Sequence, residues 1–289
     1  MPDIITLLFV STMVAVILLI TGLLCLRLLD YRADKQLFDQ LIASQPSSPG
    51  LFDPAMLAGL PEAAKRFFTF SIAPGTPLFT VADIVMTGRF GMGNIHKPDY
   101  LQMKARQVLA PPGSFIWQMQ ARKNLLRVSG SDSASWTRFW LHELLPVART
   151  GASLDQRRSA FGRYVAEALF WTPAAVLPRA GITWTHLSEN SARLTVSHFG
   201  LKQAVDLTVA EDGQPLLVSF MRWSNANPQR SYMLQPFGGY LSNFRDFNGF
   251  RLPTHVEAGN HFGSADYFPF FIADVSAISW PQHAGRDFG

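Results

Sequence analysis

The sequence has one cysteine, Cys25, in 289 residues, so no internal disulfide can form and cysteine usage says nothing of the redox compartment. Charged side chains are few, 16% against 48% apolar types, which excludes a disordered chain and leaves ample material for a core. No run of lysine and arginine is dense enough for a nucleic-acid patch, and no recognition helix is evident, so nucleic acid is not an expected partner. The seven histidines are scattered without an HExxH, and His255 and His261 flank a loop, so no metal site is expected. "GRFGMG" places Gly88, Gly91 and Gly93 at the wrong spacing for a nucleotide loop and without a following helix; they read as turn or bulge glycines, and no cofactor is expected. There is no G-x-S-x-G elbow, "SGSDSAS" (129–135) reads as a flexible loop, and no catalytic residue is assigned.

What is present begins with an apolar run. Residues 4–26 carry no charge and are dominated by Ile, Leu, Val, Phe and Met. As a helix this run is about 35 Å long, against a hydrocarbon core of about 30 Å, so it spans a bilayer. No basic segment precedes it and no small-x-small site follows it, which argues for an uncleaved anchor over a signal peptide. Arg27, Arg32 and Lys35 follow the span and favour a cytoplasmic domain on an inner membrane crossed once. The middle of the chain, residues 61–180, holds fifteen Lys and Arg against seven Asp and Glu, a net +8 that reads as a solvated face or a contact with anionic headgroups.

Punctuation divides the rest. The expected organisation is a transmembrane anchor over 1–30, a juxtamembrane helix (35–43) and a linker ending in "SQPSSPG" over 31–59, one β-rich domain over 60–280, and a tail over 281–289. Pro61 opens a helix reaching about Phe70, and a second helical pattern covers 154–170. Strand patterns occupy 78–128 and most of the last third, where Asn248-Gly249 between two alternating arms is a hairpin signal. Strands, a helical insertion and more strands predict an α+β fold on a largely antiparallel sheet.

The stretch "FGRYVAEALFWTPAAVLP" (161–178) concentrates the site candidates. Arg163 and Glu167 lie one helical turn apart and can pair, and the break at Pro173 sets Phe170 and Trp171 at a corner. An arginine at i−4 suits Glu167 to architecture or anion handling better than to acid–base work. The stretch resembles the signature of an uncharacterised bacterial family, a domain of unknown function commonly preceded by a membrane anchor. "LPEAAKRFF", "KARQVLAPPGSFIW" and "FNGFRLPTHVEA" extend the likeness over most of 60–275, with a departure around 131–146. More distantly the layout is similar to the open half-barrels of lipoprotein carriers of the LolA and LolB type, which implies a curved sheet capped by helices and licenses no function by itself.

The expectation is therefore a membrane-anchored, non-catalytic binder of a membrane lipid or another hydrophobic small molecule. Its candidate ligand residues are Trp117, Met119, Arg163, Tyr164, Glu167, Trp171, Phe220 and Arg222. Trp117 with Met119, and Phe220 with Arg222, share strand faces at period two. The alternatives are an enzyme acting on an envelope lipid or glycan through Glu167 or Asp132, and an interaction module docking on anionic headgroups or a membrane protein. A long apolar cavity favours the binder, a small polar cleft the enzyme, and a filled core the module.

Overall fold

The structure, a computed structural model, describes residues 3–281; the rest of the expected tail lies outside the described residues. The chain opens with one 40-residue helix, α1 (Ile4–Ala43). The sequence suggested an anchor and a separate juxtamembrane helix, but "RLLDYRADK" contains neither glycine nor proline to break the rod. Its first half is long and apolar enough to cross a membrane and buries nothing against the domain. Its second half packs on the sheet, where Phe38 and Leu41 join Val81, Val108 and Ile116 in a small outer core.

Thirteen strands form one antiparallel sheet. β1 (Ala82–Gly91), β2 (Tyr100–Ala110), β3 (Ser114–Lys123), β4 (Leu126–Ser133), β5 (Thr137–Leu141) and β6 (Leu145–Thr150) precede helix α3 (Leu154–Trp171). β7 (Ile182–Ser188), β8 (Ser191–His198), β9 (Leu201–Val209), β10 (Pro215–Ser224), β11 (Met233–Phe247), β12 (Phe250–Asn260) and β13 (Phe268–Ser279) follow it. In space the order runs from β6 back to β1, then from β13 back to β7, so two hairpin series join where β1 pairs with β13 and the sheet stays open at β6 and β7. Asn248 and Gly249, both at positive φ, make the two-residue turn between Phe247 and Phe250 that the sequence signalled.

Two helices lie on the inner face: α2 (Glu62–Ser71), beside β7, β8, β9 and β12, and α3, which touches both β3 and β10. Those two strands are six positions apart in the sheet, about 29 Å if it were flat. Phe139 of β5 and Phe220 of β10, eight positions apart, face one small cavity against α3, so the sheet curls around this helix. Gly162 faces Gln203 and Phe220, and a Cβ there would displace the Gln203 amide and lie 3.3 Å from the Phe220 ring. Phe67, Phe68, Phe161, Leu169 and Trp171, all at most 1% exposed, fill the space between helices and sheet.

Residues 129–135, expected as a flexible loop, are mostly strand β4. The serines alternate onto the outer face: Ser129 and Ser131 meet α1, while the Ser133 hydroxyl accepts from the backbone N–H groups of Ser135 and Trp136 in the β4–β5 turn. Arg27 donates to Ser129 Oγ at 2.8 Å, and Ser131 Oγ donates to Asp34 at 2.7 Å. Asp30, 2% exposed, accepts from Arg149 at 2.6 and 2.8 Å and from Trp140 Nε1 at 3.0 Å, with Arg138 at 3.2 Å. The stretch "SFIWQMQARKNLLRVSG", which reads in sequence as one strand pattern, is a hairpin turning at Asn124, whose φ is 52°.

Candidate functional site

Between α3 and the inner face lies a cavity of about 170 Å³. β3 contributes Trp117, β10 contributes Val218, Phe220 and Arg222, and β11 contributes Phe237, all inward by strand alternation. α3 supplies Arg163, Glu167, Phe170 and Trp171. They reach the cavity together because positions 163, 167 and 170 fall at helical spacings of four and three.

Arg163 anchors the polar side of the wall. Its Nε donates to Glu167 Oε1 at 2.7 Å, Nη1 to Asp132 Oδ2 at 2.7 Å, and Nη2 to Gln107 Oε1 at 3.3 Å. Gln107 Nε2 donates back to Glu167 Oε2 at 2.6 Å, and Thr137 Oγ1 to Asp132 Oδ1 at 2.6 Å. All four carboxylate oxygens therefore have a donor. The guanidinium lies 4.7 Å from the Phe115 ring centre and 5.1 Å from that of Trp117. Burial opposes its charge, but Glu167 and Asp132 outweigh burial and hold it above the ordinary arginine range.

Arg222 is treated differently by its surroundings. Burial, and then the charge of Arg163, pull its pKa down to about 10, with Asp132 and Glu167 only partly opposing. Its Cζ lies 4.9 Å from the Phe237 ring centre, and its Nε has no hydrogen-bond partner among the described residues.

Six of the eight candidates, Trp117, Arg163, Glu167, Trp171, Phe220 and Arg222, line this one cavity. Two do not. Met119 points to the inner face but is absorbed in the core. The Tyr164 hydroxyl donates to the carbonyls of Pro112 at 3.3 Å and Gly113 at 3.5 Å, so it pins α3 to the β2–β3 turn, and burial pushes its phenol pKa up. Trp223 turns away, donating to Asp155 Oδ1 at 2.8 Å. The sequence reading missed Gln107 and the aromatics Phe90, Phe139, Phe237, Phe270 and Phe271. Gln107 had a signal: it is the one polar residue in the inward series Leu101, Met103, Ala105, Gln107, Leu109.

These features define a membrane-type apolar helix joined to an open, curled antiparallel sheet whose helix-capped hollow keeps a small aromatic cavity. The chain belongs to a family of unknown function, DUF6544, whose model matches residues 50–272. No curated protein matches it. Among solved structures, a LolA superfamily protein from Nitrosomonas europaea is similar at 14% identity, with 78% of this chain and 91% of that chain covered and a TM-score of 0.35. A DUF1329 family protein from Desulfovibrio piger is similar at 11% identity, with 81% and 95% covered and a TM-score of 0.40.

Proposed function

We propose that the protein is a membrane-anchored, non-catalytic binder of a lipid or another apolar ligand, held in the cavity between α3 and the curled sheet. The observation that carries this reading is the wall itself, in which Phe90, Trp117, Phe139, Phe220, Phe237 and Phe271 surround an unfilled space. A volume of about 170 Å³ is close to the roughly 150 Å³ apolar cavity that takes up benzene. It suits the end of one acyl chain or a small apolar molecule, and not several chains at once. The enzyme reading loses support because Asp132 and Glu167 spend every carboxylate oxygen on Arg163, Gln107 and Thr137.

Residues 4–26 serve in this reading as a single-pass anchor in a bacterial inner membrane, with the domain on the cytoplasmic side, as Arg27, Arg32 and Lys35 after the span favour. Native mass spectrometry of the full chain released from membranes should find bound acyl species, and a Trp117→Ala variant that still melts cooperatively should lose them. Ligand-free protein that also ignores fluorescent fatty acids would instead favour an interaction module.

A further inference from the structure

Three nitrogens on cavity-lining residues have no hydrogen-bond partner among the described residues: Nε of Arg222, Nε1 of Trp117 and Nε1 of Trp171. Guanidinium and indole nitrogens donate and cannot accept. These three atoms are themselves shut off from the cavity, so recognition of a ligand falls to the terminal nitrogens of Arg222, which can only donate. The charge pattern adds a sign. Asp132 and Glu167 are both committed to Arg163 by salt bridges, each 2.7 Å long, and Arg222 has no salt bridge among the described residues. Arg222 is thus a cation in an aromatic cavity whose two nearby carboxylates are already taken. Around it stand Phe220 and Phe237, which offer a tail apolar surface and no hydrogen bonds.

We propose that Arg222 receives the acid group of an anionic amphiphile whose short apolar tail fills the cavity against Trp117, Phe220 and Phe237, the acid being a carboxylate or a phosphate monoester. This deepens the binding reading above and rests on it. A cavity of about 170 Å³ holds about six methylene-sized groups if each takes the roughly 30 Å³ of a water molecule in the liquid. The fitting probes are therefore six-carbon compounds.

The test uses the full chain in phosphatidylcholine nanodiscs, with quenching of tryptophan fluorescence by 6-bromohexanoate, 6-bromohexyl phosphate and 6-bromohexanol, and empty discs as the partition control. Charge-assisted hydrogen bonds should make at least one acid bind about tenfold or more tighter than the alcohol, and the acid that does so identifies the headgroup. Arg222→Met should bring the ratio of acid to alcohol affinity to about one, whatever the change in alcohol binding itself, and Arg222→Lys should restore part of the preference. Equal binding of acids and alcohol by the wild type, or an acid preference that survives Arg222→Met, overturns the role of Arg222 and leaves cavity binding standing. Failure of all three probes to bind the wild type removes the cavity reading itself. Should Arg222→Met not fold, Arg222→Gln is read by the same criteria, and the wild-type comparison decides without any variant.

Discussion

Replacing Arg163 with methionine is the sharpest test of the wall beside the cavity. The side chains of Arg163, Asp132 and Glu167 are only 16%, 17% and 12% exposed, so Arg163→Met strands two carboxylates of like charge in a poorly solvated place. Glu167 keeps only its bond from Gln107 and Asp132 only its bond from Thr137. Removing one partner of such a buried network typically costs about 3–5 kcal/mol, and in a domain of this size each kcal/mol moves the melting point by about 2–4 °C. The expected fall is roughly 6–20 °C, read by tryptophan fluorescence on the full chain in nanodiscs. Glu167→Gln should cost less, about 1.5–3 kcal/mol, because Arg163 keeps Asp132. The triple change Arg163→Met, Glu167→Gln, Asp132→Asn should recover most of the loss, since no charge is then left unpaired. Because Arg163 is held above the ordinary arginine range, its own titration removes the contribution only in strong alkali. A melting point unchanged by Arg163→Met, with ligand affinity lost, would refute the structural role and make the network part of the binding surface.

Arg222→Met should raise the melting point of the ligand-free protein, by about 1 kcal/mol or more in stability, because it removes a desolvated cation that has no salt bridge among the described residues; a fall would show that the arginine already has its counter-charge. His255 sits 2.7 Å from Asp274 and 3.2 Å from Glu257, and although burial opposes protonation these partners raise its pKa above 6.5. A raised folded pKa gives stability that is full below 6.5 and fades as the pH climbs through the folded value, so melting should decline modestly above neutrality, by about 1 kcal/mol or less given the exposed partners. His255→Gln should flatten that slope in a pH series of melts. Deleting residues 1–26 should leave a cooperatively melting domain, whereas deleting 1–43 should not, because Arg27, Asp30, Asp34, Phe38 and Leu41 are buried on the sheet. A reporter fused after Gly289 should be active on the cytoplasmic side, and periplasmic activity would reverse the orientation.

Legibility followed the range of the interaction. α3 was readable almost to its last residue, because apolar spacing and the proline after it are local, and the Asn-Gly turn announced its hairpin for the same reason. The Arg163–Glu167 pair was readable because helical geometry fixes which side chains meet four residues apart. Asp132 and Gln107 complete that network from 31 and 56 residues away, and no local pattern encodes such a meeting. Ser129, Ser131 and Ser133 misled because serine is common in loops, while here the hydroxyls lie along the outer face of a strand, the first two at the seam with α1. Asp30 and Asp34 drew no reading from the sequence and are buried in that seam, a consequence of the helix running unbroken from the apolar run onto the sheet.

The two arginines at the cavity define what the wall has been shaped to tolerate. Both are half-buried side chains whose guanidiniums lie against aromatic rings, yet one is met by two carboxylates and the other by none among the described residues. If packing alone governed the hollow, a methionine or leucine at position 222 would fill it better than a cation that burial drives toward neutrality. Proteins tolerate such a cost at sites where a bound partner removes it. A ligand that supplies the missing charge would bind with the energy that the empty protein forgoes, so gain in melting point on adding an acid should be largest in the wild type and smallest in Arg222→Met. Equal gains in the two proteins would mean that the uncompensated arginine contributes nothing to recognition.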